Sequence, residues 1–146
     1  MKDEKICVFC GQKPGIFQDT SIPCAGTWQT ACKACEKELK GMKESEICRR
    51  ALIYGLAENA DRIKNRITFL AEAEAHRPVC LRCGGVMYFM KEQELDNSPY
   101  CDSILKEPFS VIPAYCEACG KLEFYYPGIV RKNKYWACLI HKDTQE

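Results

Sequence analysis

The sequence predicts small α+β modules held by metal rather than by one large core, and three observations carry that expectation. Twelve cysteines are spread through 146 residues. Eight of them form C-x2-C pairs, at Cys7 and Cys10, Cys32 and Cys35, Cys80 and Cys83, and Cys116 and Cys119. Between the second and third pairs lies a proline-free stretch of helical periodicity, so the apolar residues are divided among short blocks. No such block buries enough surface to repay its conformational entropy alone, and each needs a disulfide or a metal as a staple.

The start of the chain, Met1-Lys-Asp-Glu-Lys5 running into Ile6, has no apolar stretch followed by a small-residue cleavage site, so a cytoplasmic location is expected. In a reducing compartment dense cysteine pairs bind metal more often than they cross-link. Tetrahedral sulfur suits Zn2+ over harder ions, and two Zn2+ per chain are expected. No run of about 18 apolar residues suggests a membrane span. The 21 basic and 20 acidic residues leave a net charge of +1, and no segment is polybasic, unlike a dedicated nucleic-acid binder.

The first module is expected over residues 1–46. Cys7-Val-Phe-Cys10-Gly11 forms a tight turn in which Gly11 supplies the backbone freedom. Cys32-Lys-Ala-Cys35 opens a helix predicted from Lys33 to Lys43, whose positive end favours thiolate. A knuckle followed by a helix-borne pair resembles the treble-clef zinc finger over residues 6–44, which implies Cys7, Cys10, Cys32 and Cys35 as its ligands.

Residues 47–77 are expected as a helical linker, with Ile47 to Ala75 forming one long helix or two with a break near Gly55. Ile53, Leu56, Ala60, Ile63, Ile67 and Leu70 recur at spacings of 3 and 4, the pattern of a packing seam. The stripe is short for a coiled coil. Packing on the chain's own modules is preferred to a homodimer through this helix.

Residues 78–146 are expected as a three-stranded zinc ribbon with a C-terminal strand extension. Both Cys80-Leu-Arg-Cys83-Gly84 and Cys116-Glu-Ala-Cys119-Gly120 are knuckles followed by strand-like runs, Val86 to Met90 and Leu122 to Tyr126. A third run, Phe109 to Ala114, precedes the second knuckle and is pushed towards an edge by Pro113. Residues 78–127, with their C-x2-C-G-G start and C-x2-C-G-K-L-E-F-Y ending, resemble short uncharacterised bacterial zinc-ribbon proteins. That resemblance implies Cys80, Cys83, Cys116 and Cys119 as ligands and, by analogy, nucleic-acid binding.

Arg131, Lys132, Lys134, Tyr135 and Trp136 interleave basic and aromatic residues, as a surface that tracks phosphates and stacks bases would. An edge strand whose aromatics cover the ribbon core accounts for them better. Cys138 and His141 have ligand spacing, and a third metal joining them to Cys101 and one more cysteine is conceivable; core packing is preferred. His76 stands at a helix end, where it favours the dipole without a metal. Cys24 and Cys48 match no pattern.

No enzyme is expected. The chain has two histidines, no H-E-x-x-H and no glycine-rich phosphate loop, and four thiolates saturate each ion. The remaining classes are an adaptor or regulator acting through protein contacts, a nucleic-acid-binding ribbon, and a zinc or redox sensor.

Overall fold

The computed structural model describes residues 4–95 and 109–140, with two compact units, Met1–Leu70 and Ala71–Glu146. The helical segment expected between two modules therefore divides between the units.

In the first unit, strands β1 (Asp19–Cys24) and β2 (Thr27–Cys32) form an antiparallel hairpin closed by Ala25 and Gly26. Both turn residues have positive φ, 52° and 73°, as a two-residue loop needs to match the strand twist. Helix α1 (Lys33–Leu39) follows without a break, with Cys32 as its N-cap accepting from the Cys35 N–H. It ends earlier than predicted because the chain turns at Gly41, whose φ is +85°.

Helix α2 (Glu44–Leu52) carries Glu44 and Glu46 in its first turn and Arg49 and Arg50 in its last, complementing its dipole. Helix α3 (Ala60–Ala75) starts after a non-helical segment in which Gly55 and Asn59 have left-handed φ of 67° and 56°. The two-helix alternative is thus the one observed, and the predicted seam is split. Ile53 and Leu56 fall in the break and are exposed, Ile63 is completely buried, and Ala60, Ile67 and Leu70 are half-buried.

The core of this unit gathers Phe9, Ile22, Ala31, Leu39, Ala51 and Ile63 around the first two cysteine pairs. Its one buried polar side chain among the described residues, Gln29, behaves like a backbone partner. The Gln29 amide donates to the Glu58 carbonyl at 2.9 Å and accepts from the Glu58 N–H at 3.0 Å, fixing the segment between α2 and α3 to β2. It also donates to Thr27 Oγ1 at 2.9 Å. Gln29→Ala leaves both Glu58 groups short of a partner and is expected to cost about 2–3 kcal/mol, read as a lower urea midpoint.

The second unit is built on β5 (Phe109–Cys116), which the sequence placed towards an edge and the structure places at the centre. β6 (Leu122–Tyr125) pairs along one side, with Ile112 opposite Tyr125 and Tyr115 opposite Leu122. β3 (Met87–Phe89) and β4 (Gln93–Leu95) also pair with β5, so a short β4 segment is added to the three expected strands. Between the pairs Phe89↔Ala114 and Gln93↔Val111, β3 to β4 advances four residues while β5 advances three, so β3 and β4 are one strand interrupted by a bulge. Pro113 sits opposite that bulge. Its carbonyl accepts from the Met90 N–H, so the donor that proline lacks falls where the ladder is already interrupted.

The C-terminal strand extension is also corrected. Residues after β6 form two short helices, α4 (Pro127–Lys132) and α5 (Lys134–Leu139). Pro127 stands in the first turn of α4, where its fixed φ suits a helix, and Asn133 caps α5 by accepting from the Tyr135 and Trp136 N–H groups. These local signals outweigh the strand preference of Ile129, Val130 and the aromatics. Val130, Trp136, Leu139 and Ile140 join Met87, Phe89, Ile112 and Ala114 in the core of the unit.

Candidate metal centres

Three of the C-x2-C pairs adopt one backbone solution. In each, the N–H of the glycine after the second cysteine donates to the carbonyl of the first: Gly11 to Cys7 at 2.9 Å, Gly84 to Cys80 at 2.8 Å, and Gly120 to Cys116 at 2.8 Å. The N–H of the first cysteine donates onward to Gln12, Gly85 and Lys121 respectively. The three glycines have φ of 69°, 74° and 73°, a region that costs an L-residue roughly 1–2 kcal/mol. The fourth pair, Cys32 and Cys35, is carried by the end of β2 and the first turn of α1.

These elements bring the cysteines together as two sets, Cys7, Cys10, Cys32 and Cys35 in the first unit and Cys80, Cys83, Cys116 and Cys119 in the second. Within each set the sulfurs all lie within 4.8 Å of one another. Sulfurs at the corners of a tetrahedron about an ion with bonds of about 2.3 Å stand about 3.8 Å apart. Cys10 and Cys32 are 3.9 Å apart, Cys80 and Cys119 3.7 Å, and Cys83 and Cys116 3.5 Å. The donor sets therefore fit a four-coordinate metal ion, which would be saturated by thiolates and would tie each unit's turns into one cage.

The electrostatics point the same way. Burial opposes ionisation of Cys7, but backbone hydrogen bonds from Cys32, Phe9 and Cys10 outweigh it and bring the thiol down to about 7. Cys80, against its desolvation, is likewise lowered to about 7 by backbone hydrogen bonds from Cys83 and Arg82. Their neighbours go the other way: burial and the thiol of Cys32 push Cys35 up, and at Cys83 the thiols of Cys116 and Cys119 overcome the Gly85 backbone hydrogen bond to reach about 12. One thiolate per set forms readily, whereas Cys35 and Cys83 resist the added negative charge. A dication removes that resistance.

The other predicted positions are placed differently. Trp136 packs inward, with its ring 5.7 Å from both Phe89 and Tyr125 and its Nε1–H donating to the His76 carbonyl at 2.8 Å. Tyr135 stacks on His76 at 4.3 Å, and Arg131 pairs with Glu92. Lys132 and Lys134 are exposed, and Lys134 Nζ lies over the Tyr135 ring at 4.6 Å. The stretch from Arg131 to Trp136 lies on α4 and α5 rather than on a strand, with Trp136 packed against the core of the unit and Tyr135 against His76. His76 closes the end of α3, with Nδ1 2.7 Å from the Glu72 carbonyl. Cys138 is half-buried and donates to the Tyr135 carbonyl at 3.0 Å, while Cys101 and His141 lie outside the described residues.

Two features had no signal in the sequence. Cys24 and Cys48 meet inside the first unit, and Tyr88, Tyr115 and Leu122 align across β3, β5 and β6 on the sheet face opposite Phe89 and Ala114. Strand alternation alone places the second group on one face once the register is known. Compared with protein-family models, with curated proteins and with solved structures, the chain matches none.

Proposed function

We propose that the chain is a non-enzymatic structural zinc protein whose second unit docks a protein partner, with one Zn2+ in each cage. The first unit is read as a treble-clef-like finger, a knuckle and hairpin leading into a helix that carries the second ligand pair. The second is read as a zinc ribbon with two added helices. Four thiolates leave no open coordination position for a substrate or a water nucleophile, so the metals serve the fold.

The observation that carries the partner reading is the outer face of the second unit's sheet. Tyr115, Leu122 and Phe124 are 39%, 50% and 62% exposed, and Tyr88 stacks on Tyr115 at 5.7 Å. Aromatic and apolar side chains concentrated in this way characterise the centre of protein interfaces. A net charge of +1 gives little attraction for a phosphate backbone. A nucleic-acid reading keeps one observation, the Arg77 guanidinium 4.7 Å from the Tyr88 ring, a combination on which bases stack. Arg77 is also held by both carboxylate oxygens of Glu74, which offsets its charge.

Metal analysis of reduced protein is expected to give two zinc ions per chain. One or none overturns the two-cage reading, and three promotes Cys138 and His141 to ligands. Titration with single-stranded RNA and DNA at low salt is expected to show no binding that weakens as salt rises. Steeply salt-dependent binding lost on Tyr115→Ala would replace the protein partner with nucleic acid.

A further inference from the structure

Cys24 and Cys48 belong to neither cage. Both are free thiols, buried at 2% and 0% exposure, and Cys24 Sγ–H donates to Cys48 Sγ at 3.5 Å. Among the described residues no third histidine, cysteine or carboxylate joins them to make a ligand set. Two thiols alone leave half of a structural zinc ion's coordination unmet. Their sulfurs are instead in direct contact, the juxtaposition from which an S–S bond of about 2.05 Å can form.

The two sulfurs are carried by different elements. Cys24 ends β1 beside the Ala25–Gly26 turn, and Cys48 lies within α2. Their surroundings make them unequal. Burial raises both, Cys24 to about 12, where Cys48 and Glu44 add to the effect. At Cys48, burial and Glu44 raise it, whereas the hydrogen bond from Cys24, the charge of Arg66 and the backbone of Ala25 lower it. Arg66 is itself fixed by a two-point ion pair with Glu44, at 2.8 and 2.9 Å.

We propose that Cys24 and Cys48 are a modification site, a dithiol that a peroxide converts to an intramolecular disulfide joining β1 to α2. The Cys48 thiolate attacks one peroxide oxygen, the O–O bond breaks, and one water leaves after the Cys48 proton is taken up, giving a sulfenic acid. Cys24 then attacks the Cys48 sulfur. Its S–H proton leaves with the sulfenic hydroxyl as a second water, so two thiols are oxidised by two electrons and one peroxide is reduced to two waters. The proposal does not depend on the identity of the metal in the cages.

The test is oxidation of the metal-loaded full chain with hydrogen peroxide, followed by thiol alkylation under denaturing conditions and peptide mapping without reductant. A peptide linking Cys24 to Cys48 is expected. In Cys24→Ala, dimedone added with the peroxide should label Cys48, whereas in Cys48→Ala the label on Cys24 should fall at least tenfold. Recovery of Cys24 and Cys48 as alkylated thiols after the cage cysteines have oxidised overturns the proposal, as does a link from either residue to a cage cysteine. Equal labelling of the two single variants overturns the order of attack. The map of the wild-type chain decides the pairing even if a variant fails to fold.

Discussion

Cys10→Ser is expected to unfold the first unit and leave the second folded, and Cys119→Ser to do the reverse. Structural zinc contributes about 10–16 kcal/mol to small finger modules, as much as or more than the whole stability of an ordinary domain. The cages are not appendages to cores that stand without them. Cys7 and Cys35 are buried among Phe9, Leu39 and Ile63 in the first unit, and Cys80 and Cys116 among Met87, Ile112 and Ala114 in the second. Losing one ligand frees the ion and leaves crowded thiols in place of a cross-link, so the surrounding apolar residues lose their frame. Zinc content should fall from two ions per chain to one in either variant. Limited proteolysis should then degrade the damaged half and spare the other. Cooperative loss of both zinc ions from a single substitution would mean that the units share one folding transition.

The parts of this architecture written in local sequence were legible, and those made by tertiary contact were not. The three C-x2-C-G turns could be read because a glycine must follow where φ turns positive, and Lys33 could be read as a helix start because the second pair leads into helix formers. The hairpin from Asp19 to Cys32 was missed, since its alternation is weak and its turn is Ala25-Gly26 rather than the usual asparagine and glycine. Pro113 suggested an edge because the bulge that accommodates it forms only when β3 and β4 both meet β5. After Tyr126, residue-type preference pointed to a strand while Pro127 and Asn133 pointed to helices, and the caps prevailed. The spacing from Ile53 to Leu70 looked periodic through Gly55 and Asn59, whose left-handed backbones interrupt it. No spacing rule pairs Cys24 with Cys48, because a hairpin and a separate helix bring them together.

Ile63→Asp is the substitution that separates the two meanings of that interrupted stripe. Ile63 is fully buried and packs in the first unit's core with Cys7, Cys35, Cys48 and Ala51. An aspartate there loses the apolar contacts of isoleucine and places an unpaired carboxylate in the core, a combined cost of about 5 kcal/mol or more. That is comparable to the total stability of many domains, so the first unit should open and surrender its zinc to a chelator while the second retains its own. Ile53→Asp supplies the contrast: Ile53 is 64% exposed in the break between α2 and α3, and the change should stay within about 0.5 kcal/mol. If the stripe instead joined two chains, wild-type protein would scatter light as a dimer and Ile63→Asp would yield a folded monomer with both zinc ions. Burial of Ile63 within its own unit predicts a mutant that is loosened without any change in oligomeric state. Chelator-challenged zinc release and light scattering on the same samples distinguish these outcomes, and an unperturbed Ile63→Asp chain would contradict the burial of Ile63 in the first unit's core.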